Sequence, residues 1–379
     1  MNPADAVDSD MEDADLLRRE LQSRQRQEER KEALWEVLEQ KRAMPDSGLL
    51  GYLSGLLDDD IERMRSLWNE LHQDVRRELV QTLQEMAEAD FAMDFSAIFR
   101  IALRDEDAET RATAIRSLDE IEDVRLVRDF VELLEHDPTS LVRSAAAGAL
   151  ANFVLLGELQ KIRPSPFNAA VVALFERHTD PSESFEVQQI AIESMAYTGT
   201  HNVPDLIEQA YRHTDDRMRK SALLAMGRSA DPRWSAIIQR ELHNPNPDMR
   251  LEATRACGEL QLRAAVKEVS ELTEDVDARI RRVALWSLGQ IGGKLARKTL
   301  QRYIDADDET MRTIAEDALQ ELEFFYGNLS TFFGPPADYE QEDAWPVPSL
   351  SDRDLDDEAP NEDAAYEGDE DEADDPGWA

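Results

Sequence analysis

The segment DARIRRVALWSLGQIGG at residues 277–293 sets the reading of the whole chain. It opens on an acid, places Arg281 four residues later, Ala284 three after that and Leu288 four further on, and ends in glycine. The same skeleton stands upstream in DDRMRKSALLAMGRS (215–229) and NPDMRLEATRACGEL (246–260). With the Arg of each segment as its mark, the series runs Arg76, Arg111, Arg143, Gln188, Arg219, Arg250, Arg281, Arg312, and its last four intervals are each 31 residues. A fixed period of this size marks a repeat array rather than a single globular core.

Four residues before the marks stand Asp107, Thr139, Ser184, Asp215, Asn246, Asp277 and Asp308. Their side chains suit the helix N-cap, where an oxygen accepts from an otherwise unpaired amide of the first turn. His72 holds that place in the first unit, and Pro247 sits at a first helical position, where its missing N–H costs nothing. Three residues after the marks come Leu79, Ala114, Ala146, Ala191, Ala222, Ala253, Ala284 and Ala315; four further on lie Leu83, Leu118, Leu150, Met195, Met226, Cys257, Leu288 and Leu319. At a helical period of about 3.6 residues these two rows share one face. The row six after the mark is small (Ser117, Ala149, Ser194, Ala225, Ala256, Ser287, Ala318), which lets neighbouring helices come close. A second amphipathic segment precedes each of these helices, as in FVELLEH (130–136) and AIIQRELH (236–243). No such unit can bury its own apolar stripe, so stacking must build the core. The expected architecture is all-α: an α-solenoid of about eight helical hairpins over residues 46–327.

Paired helices with the pattern D/N-x-x-x-R-x-x-A-x-x-x-L-G resemble HEAT repeats, specifically the short bacterial kind called PBS-lyase-like. The pattern encodes packing and names no partner. Some proteins built on this repeat are enzymes. The deoxyhypusine hydroxylase branch carries His-Glu pairs that hold a di-iron centre, and this sequence has no His-Glu dipeptide. The bilin lyases attach tetrapyrroles to phycobiliproteins, and beyond the repeat no bilin-specific motif stands here. A phosphate-cradling glycine loop, a nucleophile elbow and HExxH are also missing from the sequence. The expectation is no catalytic, cofactor or metal residues.

Composition narrows the partners. The formal net charge is −40, and residues 337–379 hold 18 Asp or Glu against one Arg. Such a field repels phosphate backbones, so nucleic acid is not an expected partner. Cys257 is the only cysteine, which removes any internal disulfide, and its place in the Leu row makes it a core residue. The start, MNPADAVDSDMEDAD, shows no basic segment followed by an apolar run, and SAAAGALANFVLLGEL (144–159) reads as too short and interrupted to span a bilayer. No membrane association and a cytoplasmic location are expected.

His136, His178, His213 and His243 all end first helices, which would set them in a row down the stack. A His there interacts favourably with exposed helix carbonyls. Adjacent helices also stand roughly 10 Å apart, too far for shared metal ligation. The repeated Arg could bind anions, but it reads better as a ladder bridging to the acidic caps of neighbouring units. Residues 1–45 read as a charged N-terminal helix that caps the array or binds a partner, and the added stretch at 161–168 reads as loop-length variation. From 328 to 379 the chain is too charged and too poor in apolar residues to offset the entropy of ordering, so a disordered acidic tail is expected. Its aromatics Tyr339, Trp345, Tyr366 and Trp378 could anchor a short recognition segment.

Positions one, five and nine after the mark face away from the core and, in a solenoid, line its hollow. There the later units place Tyr197, Lys220, Arg228, Arg255, Arg282 and Trp286: a basic strip with aromatics. Trp and Arg together typify interface hot spots. The expected function is a non-enzymatic protein–protein interaction scaffold whose concave face takes an acidic or extended partner, with the chain's own acidic tail a candidate occupant in cis. A lyase-like or hydroxylase-like enzyme, or an acidic chaperone that engages basic proteins, are the alternatives.

Overall fold

A computed structural model of the protein describes residues 25–200 and 202–333. Helix α1 covers the described residues 25–39, and a short α2 (Ser47–Leu50) follows. Then come eight helical hairpins: α3 (Asp58–Trp68) with α4 (Gln73–Ala89), α5 (Ser96–Ala102) with α6 (Ala108–Arg116), α7 (Arg125–His136) with α8 (Ser140–Glu158), and α9 (Pro164–Thr179) with α10 (Phe185–Met195). The later four are α11 (Val203–Tyr211) with α12 (Asp216–Arg228), α13 (Ser235–Glu241) with α14 (Pro247–Glu259), α15 (Val266–Leu272) with α16 (Ala278–Ile291), and α17 (Gly293–Gln301) with α18 (Glu309–Phe333). No strand occurs among the described residues. The chain divides into Met1–Phe325, which holds the array, and Tyr326–Ala379, of which residues 326–333 are described as helix. The tail expected to be disordered, with its four aromatics, lies outside the described residues from 334 onward.

The second helix of each hairpin starts where the cap row places it. Asp107, Ser184, Asp215, Asn246 and Asp277 each accept from an amide of the first turn, and His72 does so through its ring. Thr139 departs from the expectation: its backbone is extended as a cap requires, but its hydroxyl donates to Asp137 instead of accepting from α8. At the other end of α16, Gly292 and Gly293 adopt φ of 71° and 93°, a region that favours glycine, and turn the chain directly into α17.

The rows predicted to face the core do so. The Ala row is 0% exposed from Leu79 to Ala315, and the Leu row from Leu83 to Leu288 likewise. Second helices stack in sequence, α4 on α6, α6 on α8, and so on to α14 on α16. The small row allows this, and a glycine two residues further on tightens it. A Cβ added to Gly227 would stand 3.0 Å from Ala256 Cα, one on Gly258 2.9 Å from Ser287 Cα, and one on Gly289 2.8 Å from Ala318 Cβ. Neighbouring backbones at these seams are therefore nearly in contact, which dispersion forces reward only when no void remains.

Helix α1 packs as a cap. Leu34, Trp35 and Leu38 are buried, and the Arg63 guanidinium of α3 lies 4.7 Å from the Trp35 ring centroid while bonding Glu32 and Glu39. The added stretch before the fourth unit is not a longer loop, contrary to the sequence expectation. It lengthens two helices: α8 runs to 19 residues, α9 to 16, and residues 164–168 form the start of α9. Phe167 then fills the space beside Gly157, where any Cβ would collide with its ring. The expectation that this apolar stretch is too short for a bilayer also needs correcting. Ser140–Glu158 is long and apolar enough by length and composition, and half of it is buried inside the array. Its apolar character is used in packing against α6, α7 and α10.

Candidate partner-binding surface

The repeated Arg is largely spent on structure. Arg111 donates Nε and Nη2 to the two carboxylate oxygens of Asp137 at 2.8 and 2.9 Å, and Nη1 to the Asp105 carbonyl at 2.7 Å. Arg76 binds Asp105 at 2.6 Å, Arg143 binds Glu183 at 2.7 Å, and Arg250 binds Asp275 at 3.0 Å, each also donating to a carbonyl of its own turn. Each pair crosses a seam between successive units, so the ladder exists. Its acceptors differ from those expected. They are not the caps but, in three of these four pairs, the acids two residues ahead of them; Glu183 directly precedes its cap. Apart from Thr139, the cap side chains named above already accept from their own helix amides. The residue two places earlier closes the turn by accepting from the cap amide, as in Asp105, Asp137 and Asp275, and it keeps a lone pair aimed across the seam. Across a seam Arg77 reaches a cap, Asp107, while Arg217 and Arg279 pair with the caps of their own helices, Asp215 and Asp277.

The ladder also has gaps. Gln188 turns back to the Asp180 carbonyl; the position equivalent to the acid is Asn244 for Arg219, which pairs with Asp216 instead, and Ala306 for Arg281, which bonds the Asp275 carbonyl. The histidines fit the same local logic and form no common site. His213 accepts from the Asp215 amide at 3.0 Å, His178 donates to the Gln188 carbonyl at 2.8 Å, and His136 lies near the Glu132 carbonyl. Burial lowers the His178 pKa and pushes the Cys257 thiol up to about 12, which leaves Cys257 a protonated core residue. Among the described residues no group of three or more His, Cys, Asp or Glu could hold a metal ion.

The strip lies along a ridge of the second helices, where Tyr197, Lys220, Arg228 and Arg255 are half-buried and Arg282 and Trp286 are exposed. Lys220 and Arg228 sit on α12, Arg255 on α14, Arg282 and Trp286 on α16, and Tyr197 just past α10. The Arg228 guanidinium stands 5.6 Å from the Tyr197 ring centroid and donates to the Glu193 carbonyl at 3.0 Å; Arg255 pairs with Glu252 at 3.0 Å. The strip is not simply basic. Glu193, Glu252 and Glu259 interleave with Lys220, Arg228 and Arg255, and burial, as the leading cause, raises all three carboxyl pKa values above the usual 4.5. Glu259 Oε2 is buried without a hydrogen-bond partner. Three bases are thus matched by three acids up to α14. Glu193 and Glu259 stand in the very rows that nominated the bases, whereas Glu252, two residues after its mark, gave no sign of facing this side.

Beyond α14 the surface changes. Trp286 keeps 36% of its area exposed, with one ring edge over Gly258, where a Cβ would sit 2.7 Å from it. With Arg282 and Val283 it forms one wall of an open groove of about 320 Å³; Ile314, Asp317, Ala318 and Glu321 of α18 form the other. The second wall escaped the sequence reading, yet Asp317 and Glu321 are five and nine residues after Arg312, so the same rows carried into the eighth unit point to them.

The family model for HEAT repeats matches residues 61–151 and 234–320. No curated protein sequence matches the chain significantly. Among solved structures, Escherichia coli YibA is 14% identical with a TM-score of 0.40, over 74% of this chain and 97% of that one. Human deoxyhypusine hydroxylase in complex with glycerol is 17% identical with a TM-score of 0.31, over 70% and 96%. Importin beta is 14% identical with a TM-score of 0.40, over 75% of this chain and 45% of that one. The narrower PBS-lyase-like type rests on the sequence resemblance alone. Hairpins stacked through an Ala and a Leu row, sealed by Arg across their seams and matched by the repeat model at both ends of the array, make this chain a HEAT-repeat protein.

Proposed function

We propose that the protein is a non-enzymatic scaffold that binds an extended segment of a partner protein along the ridge of its second helices, from Tyr197 to Trp286. The observation that carries this reading is Trp286: a large aromatic left 36% exposed, held in one place by the close approach of Gly258 and Ser287, beside an open groove. A rigid, half-exposed Trp rimmed by charged residues supplies contact area at little entropic cost, the composition of an interface hot spot. An acidic occupant, from a partner or from the chain's own 337–379 segment, gains less than the sequence suggests, because Lys220, Arg228 and Arg255 already face Glu193, Glu252 and Glu259. The buried Cys257 and the locally bonded histidines offer no nucleophile or base on this surface.

The test is affinity capture with the full chain and with Tyr197→Ala and Trp286→Ala variants of unchanged helical content. Proteins captured by the wild type and lost from both variants support the ridge. The same captured set on all three proteins refutes it.

A further inference from the structure

The groove between α16 and α18 has features that the ridge as a whole lacks. Its floor is apolar (Val283, Trp286, Ile314 and Ala318), and its α18 wall carries two carboxylates, Asp317 and Glu321. They lie four residues apart on one helix, hence about 6 Å along its axis and on one face. Glu321 accepts from Gln290 Nε2 at 2.7 Å, a neutral donor, while Asp317 and Arg282 enter no ion pair among the described residues. The groove therefore holds two acids against one base. The helix behind that wall has the same sign: residues 309–323 hold five acids and a single Arg, Arg312, which turns back to the Ala306 carbonyl.

We propose that this groove docks a cationic, apolar segment of a partner protein: one large apolar side chain against Trp286 and Ile314, and a Lys or Arg about a turn away held between Asp317 and Glu321. This rests on the ridge reading above and adds the chemistry of the occupant. Apolar contact supplies most of the affinity, because Trp286 and Ile314 are already fixed and lose little freedom on binding. The carboxylates supply sign and orientation, and they make association depend on salt. The net charge of −40 strengthens attraction of such a segment from a distance.

The probe is a synthetic amphipathic peptide of alternating Leu and Lys clusters, labelled with a fluorophore and a photo-cross-linker, titrated onto the full-length protein. Two companions carry Glu for Lys, or Ser for Leu. The cationic apolar peptide should bind, cross-link to residues 282–321, and weaken about tenfold with Trp286→Ala, the size expected for a hot-spot truncation. Asp317→Asn with Glu321→Gln removes both charges while the amide oxygen at 321 can still accept from Gln290 Nε2; it should weaken binding to a similar extent and flatten the salt response while leaving the thermal midpoint in place. Both companion peptides should bind at least about tenfold more weakly. Cross-links that fall on other acidic segments, an affinity unmoved by the groove variants, or no binding by any of the three peptides would overturn the proposal. Tighter binding of the Glu peptide would overturn the cationic occupant and leave the ridge standing. The ridge reading fails separately, in the capture experiment, when Tyr197→Ala and Trp286→Ala lose nothing.

Discussion

Replacing Arg111 with Leu tests the ladder where its geometry is best. Arg111 and Asp137 are both nearly buried, with side chains 10% and 3% exposed, and they share two hydrogen bonds at 2.8 and 2.9 Å. Removing one member of a buried pair strands the other as an uncompensated charge, which costs about 3–5 kcal/mol. The carbonyls of Asp105 and Glu106 also lose their donor, the first of them buried. Arg281 provides the internal control. It donates to the Asp275 and Val276 carbonyls at 2.9 and 3.3 Å and pairs with no carboxylate among the described residues, so Arg281→Leu should cost about 1 kcal/mol. The two variants should therefore differ by about 2–4 kcal/mol. A second substitution, Asp137→Asn, keeps the acceptor that closes the turn onto Thr139 but removes the stranded charge, so the double variant should be more stable than Arg111→Leu alone. Urea unfolding followed by circular dichroism gives the totals. Hydrogen exchange of amides in α6 and α8 locates the loss, since a repeat array need not unfold as one body. Equal costs at Arg111 and Arg281, or strict additivity of Arg111→Leu and Asp137→Asn, would refute the ladder as a source of stability.

Ala306→Asp should give Arg281 the acid it lacks and raise stability by about 1 kcal/mol, read as a higher urea midpoint; an unchanged midpoint would show that position 306 cannot reach across. Gly258→Ala gains helix propensity but puts a Cβ 2.9 Å from Ser287 Cα, so a net loss of about 1–2 kcal/mol is expected together with altered Trp286 fluorescence. Acidity should act in two opposite directions. Burial raises the carboxyls of Glu193, Glu252 and Glu259, so their contribution is most favourable when protonated and is lost as pH rises from 4.5 through their folded values. Asp137, Glu183 and Asp275 are raised by burial but lowered more by bonds from Arg and backbone amides, so theirs is present above the usual carboxylate range and lost as pH falls through the depressed values. Thermal midpoints should rise on mild acidification and fall in stronger acid. Glu259→Gln should flatten the first limb and leave the second.

The fold was legible because packing writes itself at fixed spacing. The Ala and Leu rows could face only one way, and the second helix of each hairpin begins directly after its cap position. The ladder was half legible. Acids stand both at the cap and two residues ahead of it, as in Asp105 and Asp107 or Asp275 and Asp277, and only three-dimensional geometry shows that the cap oxygens are already taken. The added residues before the fourth unit looked like a loop because proline and glycine flank them. In fact Pro164 starts a helix, where its missing N–H is harmless, and Gly157 makes room for Phe167. On the surface, Trp286 was visible from its row alone. The compensation of the strip was not, because it depends on which way long Glu and Arg side chains turn, and Glu252 reaches it from a position that the helical wheel assigns to the flank.

The gaps in the Arg ladder have a consequence for how such a chain can grow. An Arg at the mark and an Asp two residues ahead of the following cap act as plug and socket, and neither depends on which repeat supplies it. Hairpins bearing both parts can be duplicated or exchanged in register, each new junction finding its fastening ready-made. The joints beside Arg219 and Arg281 lack the acid, and the joint beside Gln188 lacks both parts, with His213 where the acid would stand. Insertions and deletions of whole hairpins should therefore be tolerated unevenly along the array, most readily among the first three units.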